Sequence, residues 1–320
     1  MSDWLVTPED AGLRLDKFLA SADRLGSRPR ASAALERGKV FLNGVEATPA
    51  DAGRRLAADE IVRVWADRPG SARRRVNARA GDLDILYEDG AIIVVNKPAG
   101  LLTVPLERRA EAASVLGMLR EQLRKGDRWR PLVVHRIDRD TSGVVLFAKD
   151  PRAQAQLKER FRRHEPERVY WAIVYGRPNP PEGTWRDHLV WDQHALIQKE
   201  THPKDPRAAE AVADYRVLES FRDTSLIEVR LQTGKRNQIR LQARLRGHML
   251  IGEQRYVYGP DSLRTVSFAR QALHARRLQF RHPETDKTMD FVAPLPKDME
   301  DLLARLRKSG REERSDDAAD

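Results

Sequence analysis

The sequence has no cysteine, which removes disulfides, thiolate metal sites and cysteine nucleophiles at once. It also lacks long apolar runs. The most continuous ones, Ala91 to Val95 and Gly143 to Ala148, fall far short of the roughly 18 residues that a membrane-spanning helix needs. The first residues, MSDWLVTPED, carry acids where an export signal carries a basic head and an apolar stretch. A cytoplasmic protein with no membrane segment is therefore expected. What the chain does have is charge: 33% of its 320 residues are Asp, Glu, Lys or Arg, and 58 basic against 48 acidic side chains leave a formal +10. Such a balance favours a polyanionic partner. A hydrophobic fraction of 40% still suffices for a sizeable core in one large or two smaller domains.

Residues 12–66 read as a small unit. GLRLDKFLA and PRASAALERGKVFLNG place apolar residues at helical spacing, and Pro29 suits the first turn of a second helix. Gly38 then fits its stop, and Val40 to Leu42 followed by Asn43-Gly44 predicts a β-hairpin. Ile61, Val62 and Val64 suggest a last strand. Residues 67–82, with Arg68, Arg73, Arg74, Arg75 and Arg79 among Pro, Gly and Ser, read as a basic linker.

Residues 83–300 mix strand-like runs (Ala91 to Val95, Val144 to Ala148, Tyr170 to Val174, Leu226 to Leu231) with helical stretches (Ala110 to Lys125, Arg152 to Arg163, Arg236 to Arg246). Strands and helices do not alternate strictly, so an α+β fold with a mixed, largely antiparallel sheet fits better than a doubly wound one. Residues 301–320 end in RKSGREERSDDAAD and read as a disordered charged tail.

Chemistry concentrates in HRIDRDTSGVVLFAKD, where His135, Arg136, Asp138, Asp140, Thr141 and Ser142 crowd a turn before an apolar strand. Spacing alone leaves a solvated turn capped by Thr141 and Ser142 as an equal alternative. It also leaves open a divalent metal on His135, Asp138 and Asp140, or a lone catalytic carboxylate. A kinase catalytic loop is excluded, because Ile137 interrupts the His-Arg-Asp run and no glycine-rich phosphate loop precedes it.

The segment HRIDRDTSG resembles the signature of the Rlu-type RNA pseudouridine synthases. VVNKPAGLLTVP, ERVYWAIVYG, TGKRNQIRLQARLRGHMLIGEQRYVYG, RQALHARRLQFRHP and FVAPLP resemble that family's other motifs, in family order across residues 83–297. RLDKFLA through KVFLNG is similar to the small αL-type RNA-binding module that often precedes such a domain.

The resemblance implies an isomerase that breaks the N1–C1′ bond of uridine and joins C5 to C1′, with no metal or organic cofactor. Asp138 then matches the catalytic aspartate and Tyr170 the tyrosine that stacks on the uracil and assists proton removal. Arg240 matches the arginine paired with that carboxylate, and Arg136 the residue that displaces the target base. Lys97 and Pro98 resemble a loop that shapes the pocket. His135, Lys97, Arg236, Asn237 and Arg244 join Arg136 as candidate contacts to RNA or base.

From Arg230 to Arg246 the chain holds Lys235, Arg236, Arg240 and Arg244 and no acid. If helical, Arg236, Arg240 and Arg244 share one face that could track the RNA backbone. Two departures stand out: Asn237 replaces the family's usual histidine, and GEQRYVYG replaces a shorter Gly-Asp form. The expected substrate is large-subunit ribosomal RNA before tRNA, and a monomer is favoured. A catalytically silent RNA-binding protein of the same fold is the alternative, and a carboxylate hydrolase a third reading.

Overall fold

A computed structural model of the chain describes residues 2–36, 38–65, 83–105, 112–123, 130–193, 195, 197–260 and 264–316. The chain divides into two units, Met1–Val76 and Asn77–Asp320. The linker expected over 67–82, with Arg73, Arg74 and Arg75, lies outside the described residues.

In the first unit, β1 (Ser2–Leu5), α1 (Leu15–Leu19), α2 (Arg28–Glu36), β2 (Val40–Leu42), β3 (Val45–Glu46) and β4 (Ile61–Val64) form two helices against a four-stranded sheet ordered β1-β4-β2-β3. Ser27 Oγ accepts the Arg30 N–H at the start of α2, a local cap for donors that have no partner within the helix. Asn43 (φ 48°) and Gly44 (φ 78°) make the hairpin turn in the left-handed region that these residue types tolerate. Leu15, Phe18, Leu19, Leu35, Val40 and Val62 fill the core. The unit begins earlier than residue 12, because β1 pairs antiparallel with β4, Trp4 facing Val62. Mostly exposed at the sheet edge, β1 carries no buried alternation to betray it.

The second unit contains β5 (Asp84–Glu88), β6 (Ile92–Lys97), α3 (Val115–Leu123), β7 (Leu132–Val133), β8 (Ser142–Ala148), α4 (Pro151–Arg162) and β9 (Glu167–Tyr175). There follow β10 (Glu182–Asp192), β11 (Ile197–Glu200), β12 (Ala209–Ser220), β13 (Thr224–Leu231), α5 (Gln238–Leu245), β14 (Leu273–Arg281), β15 (Thr288–Val292) and α6 (Lys297–Asp316). The sheet runs β11-β10-β12-β13-β9-β14-β8-β6-β5, with β15 on β14 and β7 on β8. Every pairing is antiparallel except β14 with β8, so the fold is α+β with a mixed, mainly antiparallel sheet.

Helices cover both faces of the middle strands, which explains why β8 is buried at all its positions rather than alternating. Val145 and Phe147 face a cluster with Leu116 and Leu119 of α3 and Ile239 and Ala243 of α5. Val144 and Leu146 face Ala153 and Leu157 of α4. At the β14–β8 seam, Gly143 (φ 113°) lies so close to Ala275 that a Cβ would enter its backbone, and only glycine meets both demands.

Over 301–316 the expected disordered tail is corrected, because α6 is a helix there, while 317–320 lie outside the described residues. Its Met299, Leu302, Leu303 and Leu306 are buried against Ile173 and Leu226, a spacing of three, four and seven that puts them on one stripe. Burying each such side chain is worth about 1.5–3 kcal/mol. Asp298 also grips Arg270 through a bidentate pair of 2.6 and 2.8 Å.

Candidate active site

The strand–turn boundary before β8 carries Asp138, and four braces hold its turn. Thr103 Oγ1 donates to the Ile137 carbonyl at 2.8 Å and accepts the Ile137 N–H at 3.3 Å. Gly100 N–H donates to the Arg139 carbonyl at 2.9 Å. Arg270 Nη1 donates to the Asp140 carbonyl at 3.1 Å. Lys97 Nζ donates to the carbonyls of Pro98 (2.9 Å), Leu101 (2.7 Å) and Arg139 (2.7 Å), so its three N–H groups meet three acceptors. Burial pulls the Lys97 pKa down to about 7, while Asp140 and Asp138 oppose the shift. Fully buried, Lys97 is not a contact to RNA as the sequence suggested. It ties the loop after β6 to the loop of Asp138.

Asp138, Tyr170 and Arg240 line one pocket of about 470 Å³. Tyr170 reaches it from β9 and Arg240 from the first turn of α5. Arg240 Nη1 stands 3.2 Å from Asp138 Oδ2, so the pair anticipated from the motifs exists, but it is not Arg240's main one. Arg240 Nε and Nη2 donate to Glu253 Oε2 and Oε1 at 2.7 and 2.6 Å. The Glu253 side chain has no exposed surface. Burial alone would lower the arginine's pKa, and the Glu253 charge and hydrogen bonds, with Asp138 behind them, raise it instead. Burial likewise works to raise Glu253, and Arg240 together with the Arg255 and Tyr256 N–H groups holds it below the ordinary carboxylate value. The guanidinium is thus anchored from below by one carboxylate and presents a remaining N–H to another.

Asn237 fixes this arginine from the side. Its Oδ1 accepts from Arg240 Nη1 at 3.1 Å, and its Nδ2 donates to the Tyr256 hydroxyl at 3.0 Å. It precedes α5 with a φ of 53°, a conformation that asparagine adopts more readily than most residues. The amide therefore fills its place with one acceptor and one donor contact and needs no titration.

Tyr170 is buried, and burial pushes its phenol up to about 12, with Arg168 working against the rise and Asp138 adding to it. At neutral pH it is a protonated aromatic face and not a ready base. His135 lines the pocket as well, but its Nε2 accepts the Leu146 N–H at 3.0 Å and its ring stacks on Phe161 at 4.7 Å. Burial lowers it to about 3, which keeps it neutral. It holds backbone rather than presenting a charge. Asp140 pairs with Arg139 at 3.0 Å, so His135, Asp138 and Asp140 do not converge. Among the described residues no group of three His, Cys, Asp or Glu side chains could hold a metal ion.

The outer wall is different. Arg136, Lys158, Arg162, Arg168, Lys235 and Arg236 line it, and Asp138 is the only acid among the described lining residues. Arg168, buried, donates from Nη2 to the carbonyls of Leu231 (3.3 Å) and Gln232 (3.4 Å), while its Nε has no hydrogen-bond partner among the described residues. Arg136 and Arg236 are exposed.

The single basic face expected over 236–244 does not form. Arg236 precedes the helix, Arg240 is buried, and Arg244 is absent from the pocket lining. Its flanking charges are met by acids: Arg230 by Glu228, two residues before it, at 3.1 Å and Arg246 by Asp187, distant in sequence, at 2.7 Å. Motif reading missed Glu253, Arg168, Lys158 and Arg162 among the residues at the pocket, whereas Lys235 belongs to the basic run it named. A signal for Glu253 was present, since a buried arginine demands a buried acid and GEQRY supplies one close in sequence.

A family model described as RNA pseudouridylate synthase matches residues 91–245. An uncharacterized RNA pseudouridine synthase of Bacillus subtilis is 35% identical over 311 residues, covering 96% of this chain and 99% of that one. Ribosomal large subunit pseudouridine synthase D of Zymomonas mobilis is 35% identical over 316 residues, covering 96% and 98%. Among solved structures, human RNA pseudouridylate synthase domain containing 4 matches with a TM-score of 0.58 and 24% identity, over 70% of this chain and 93% of that one, which shows a shared fold. A carboxylate clamped beside a buried guanidinium and an aromatic, on this fold and with these relatives, makes the chain a member of the RNA pseudouridine synthase family.

Proposed function

We propose that this protein isomerises uridine to pseudouridine in large-subunit ribosomal RNA, in the cytoplasm, with Asp138 as the catalytic carboxylate. The observation that carries this reading is the Asp138–Arg240 contact of 3.2 Å in a pocket with no other acid among its described lining residues. The relatives named as ribosomal large subunit enzymes favour ribosomal RNA over tRNA as the substrate.

The reaction breaks N1–C1′, turns the uracil, forms C5–C1′, releases the C5 proton and places a proton on the freed N1, with no net change in composition or oxidation state. A carboxylate can serve as the nucleophile or as the base at the sugar. Arg240, anchored by Glu253, aims the Asp138 carboxylate. Extruding the uridine from its stack costs a few kcal/mol. Stacking on the Tyr170 face returns about 1–3 kcal/mol, and Arg136 fills the vacated position, a role that its exposure on the pocket lining supports. The cationic outer wall supplies phosphate contacts, and the first unit adds RNA affinity.

The test is a pseudouridine map of cellular RNA from a deletion strain complemented with wild type or with Asp138→Asn. Loss of a defined ribosomal pseudouridine in the deletion, restored by the wild type alone, is expected. Restoration by Asp138→Asn would remove the carboxylate from its role, and a loss confined to tRNA would overturn the substrate.

A further inference from the structure

Arg236 is the exposed cation of the pocket wall whose guanidinium lies on an aromatic ring. Its central carbon sits 3.9 Å from the centroid of Trp191. Trp191 is on β10 and faces Gln198 of β11 across the antiparallel register.

Both halves of this stack are tied to the reacting carboxylate. The Gln198 backbone N–H donates to the Tyr256 hydroxyl at 3.0 Å, and Asn237 Nδ2 donates to the same oxygen at 3.0 Å. Asn237 Oδ1 accepts from Arg240 Nη1, the atom that also reaches Asp138. Arg236 is the backbone neighbour of Asn237. A short chain of hydrogen bonds therefore fixes where the Arg236–Trp191 stack stands relative to Asp138, which a stack used only to cover surface would not need.

We propose that Arg236 and Trp191 form a stacking shelf for a nucleobase adjacent in the RNA to the uridine held at Asp138. This rests on the reading of the pocket as a uridine-isomerising site. A guanidinium is planar and weakly hydrated, so it can stack with one face on an aromatic ring and the other on a base, whereas a lysine ammonium is a hydrated point charge with no plane to stack. Single-stranded and looped RNA is gripped in this way, by bases splayed onto aromatic rings and arginine planes. Such a shelf is tolerant of base identity, because every base has a π-face. It adds grip on a neighbour of the target and leaves sequence choice to other contacts.

The full-length protein is titrated with two fluorescent probes of equal length, an oligouridylate and a ribose-phosphate oligomer without bases, at one salt concentration. Arg236→Lys keeps the charge and removes the plane. It is expected to weaken oligouridylate binding about tenfold, within the range that loss of one stacked base implies, and to leave the base-free probe unaffected. Trp191→Leu should do the same, with Trp191→Phe recovering most of the loss and melting temperatures showing that each variant is folded. Equal losses on both probes, or no loss on either, would overturn the shelf alone. Failure of the wild type to bind either probe would overturn the RNA reading of the pocket together with the shelf.

Discussion

The two ends of the pocket use the same residue type for opposite purposes. At the inner end, Arg240 is buried and matched, by Glu253 on one side and Asp138 on the other. At the outer end, exposed Arg136 and Arg236 and half-buried Lys235 line the opening. A buried cation held by carboxylates is a positioning device, since removing either partner strands the other. Cations gathered on an open wall are a standing attraction for a polyanion. Sequence shows the two as one run of basic residues from Arg230 to Arg246. The fold separates them, by supplying Glu253 to Arg240 and Asp187 to Arg246 from outside the run.

The sharpest way to break this contrast is at Asp138. Asp138→Asn should lower pseudouridine formation by more than about a hundredfold, the scale of a lost proton-transfer or nucleophilic group. It should move stability by less than about 1 kcal/mol, because Arg240 keeps its bidentate partner Glu253. Chemical denaturation beside the activity assay reads both quantities. Glu253→Gln inverts the pattern: it leaves Arg240 buried with only its weaker partner and should cost about 3 kcal/mol of stability. A Glu253→Gln protein as stable as wild type would show that Arg240 is not anchored from below.

How much of this was legible depends on where each signal resides. The apolar run of β8, the Asn43-Gly44 turn and the order of the motifs are local, and the fold follows them. Asp138, Tyr170 and Arg240 were found by motif, and they meet in space. Lys97 misled because a lysine beside a Pro-Ala-Gly turn looks solvent-facing. Its three carbonyl partners come from residues 98, 101 and 139, and the last of these is brought near by pairing of β6 with β8. Helix α6 was obscured by the charges after Leu306, although the stripe from Met299 to Leu306 was readable. The expected stripe of Arg236, Arg240 and Arg244 failed because the helix starts at Gln238 and buries Arg240.

The next effect is one of pH. Burial lowers His135 to about 3 and His274 to about 4, against an ordinary value of about 6.5. Both are neutral in the folded chain and become charged on unfolding, so their contribution is present above about pH 6.5 and is lost as pH falls toward 4. Glu253, held low by Arg240, adds a loss only at more acidic pH. Denaturation midpoints between pH 7 and 4.5 should therefore fall, and fall less for His135→Gln, whose amide can still accept the Leu146 N–H. Identical pH slopes for the two proteins would contradict the assignment.

The smallest effect belongs to the outer wall. Lys235→Ala should weaken RNA binding modestly and flatten its log–log dependence on salt by about one unit or less, the share of a single phosphate contact. The same change at the inner end would alter turnover instead. An unchanged slope would remove Lys235 from the phosphate path.

The most direct measurement uses RNA transcribed with tritium at uracil C5 and the purified protein. Joining C5 to C1′ expels that hydrogen into water while the base stays on the chain. Tritium release without free uracil by the wild type, and its absence in Asp138→Asn, is the predicted result. Release at the wild-type rate by Asp138→Asn, or free uracil in the supernatant, would contradict the account.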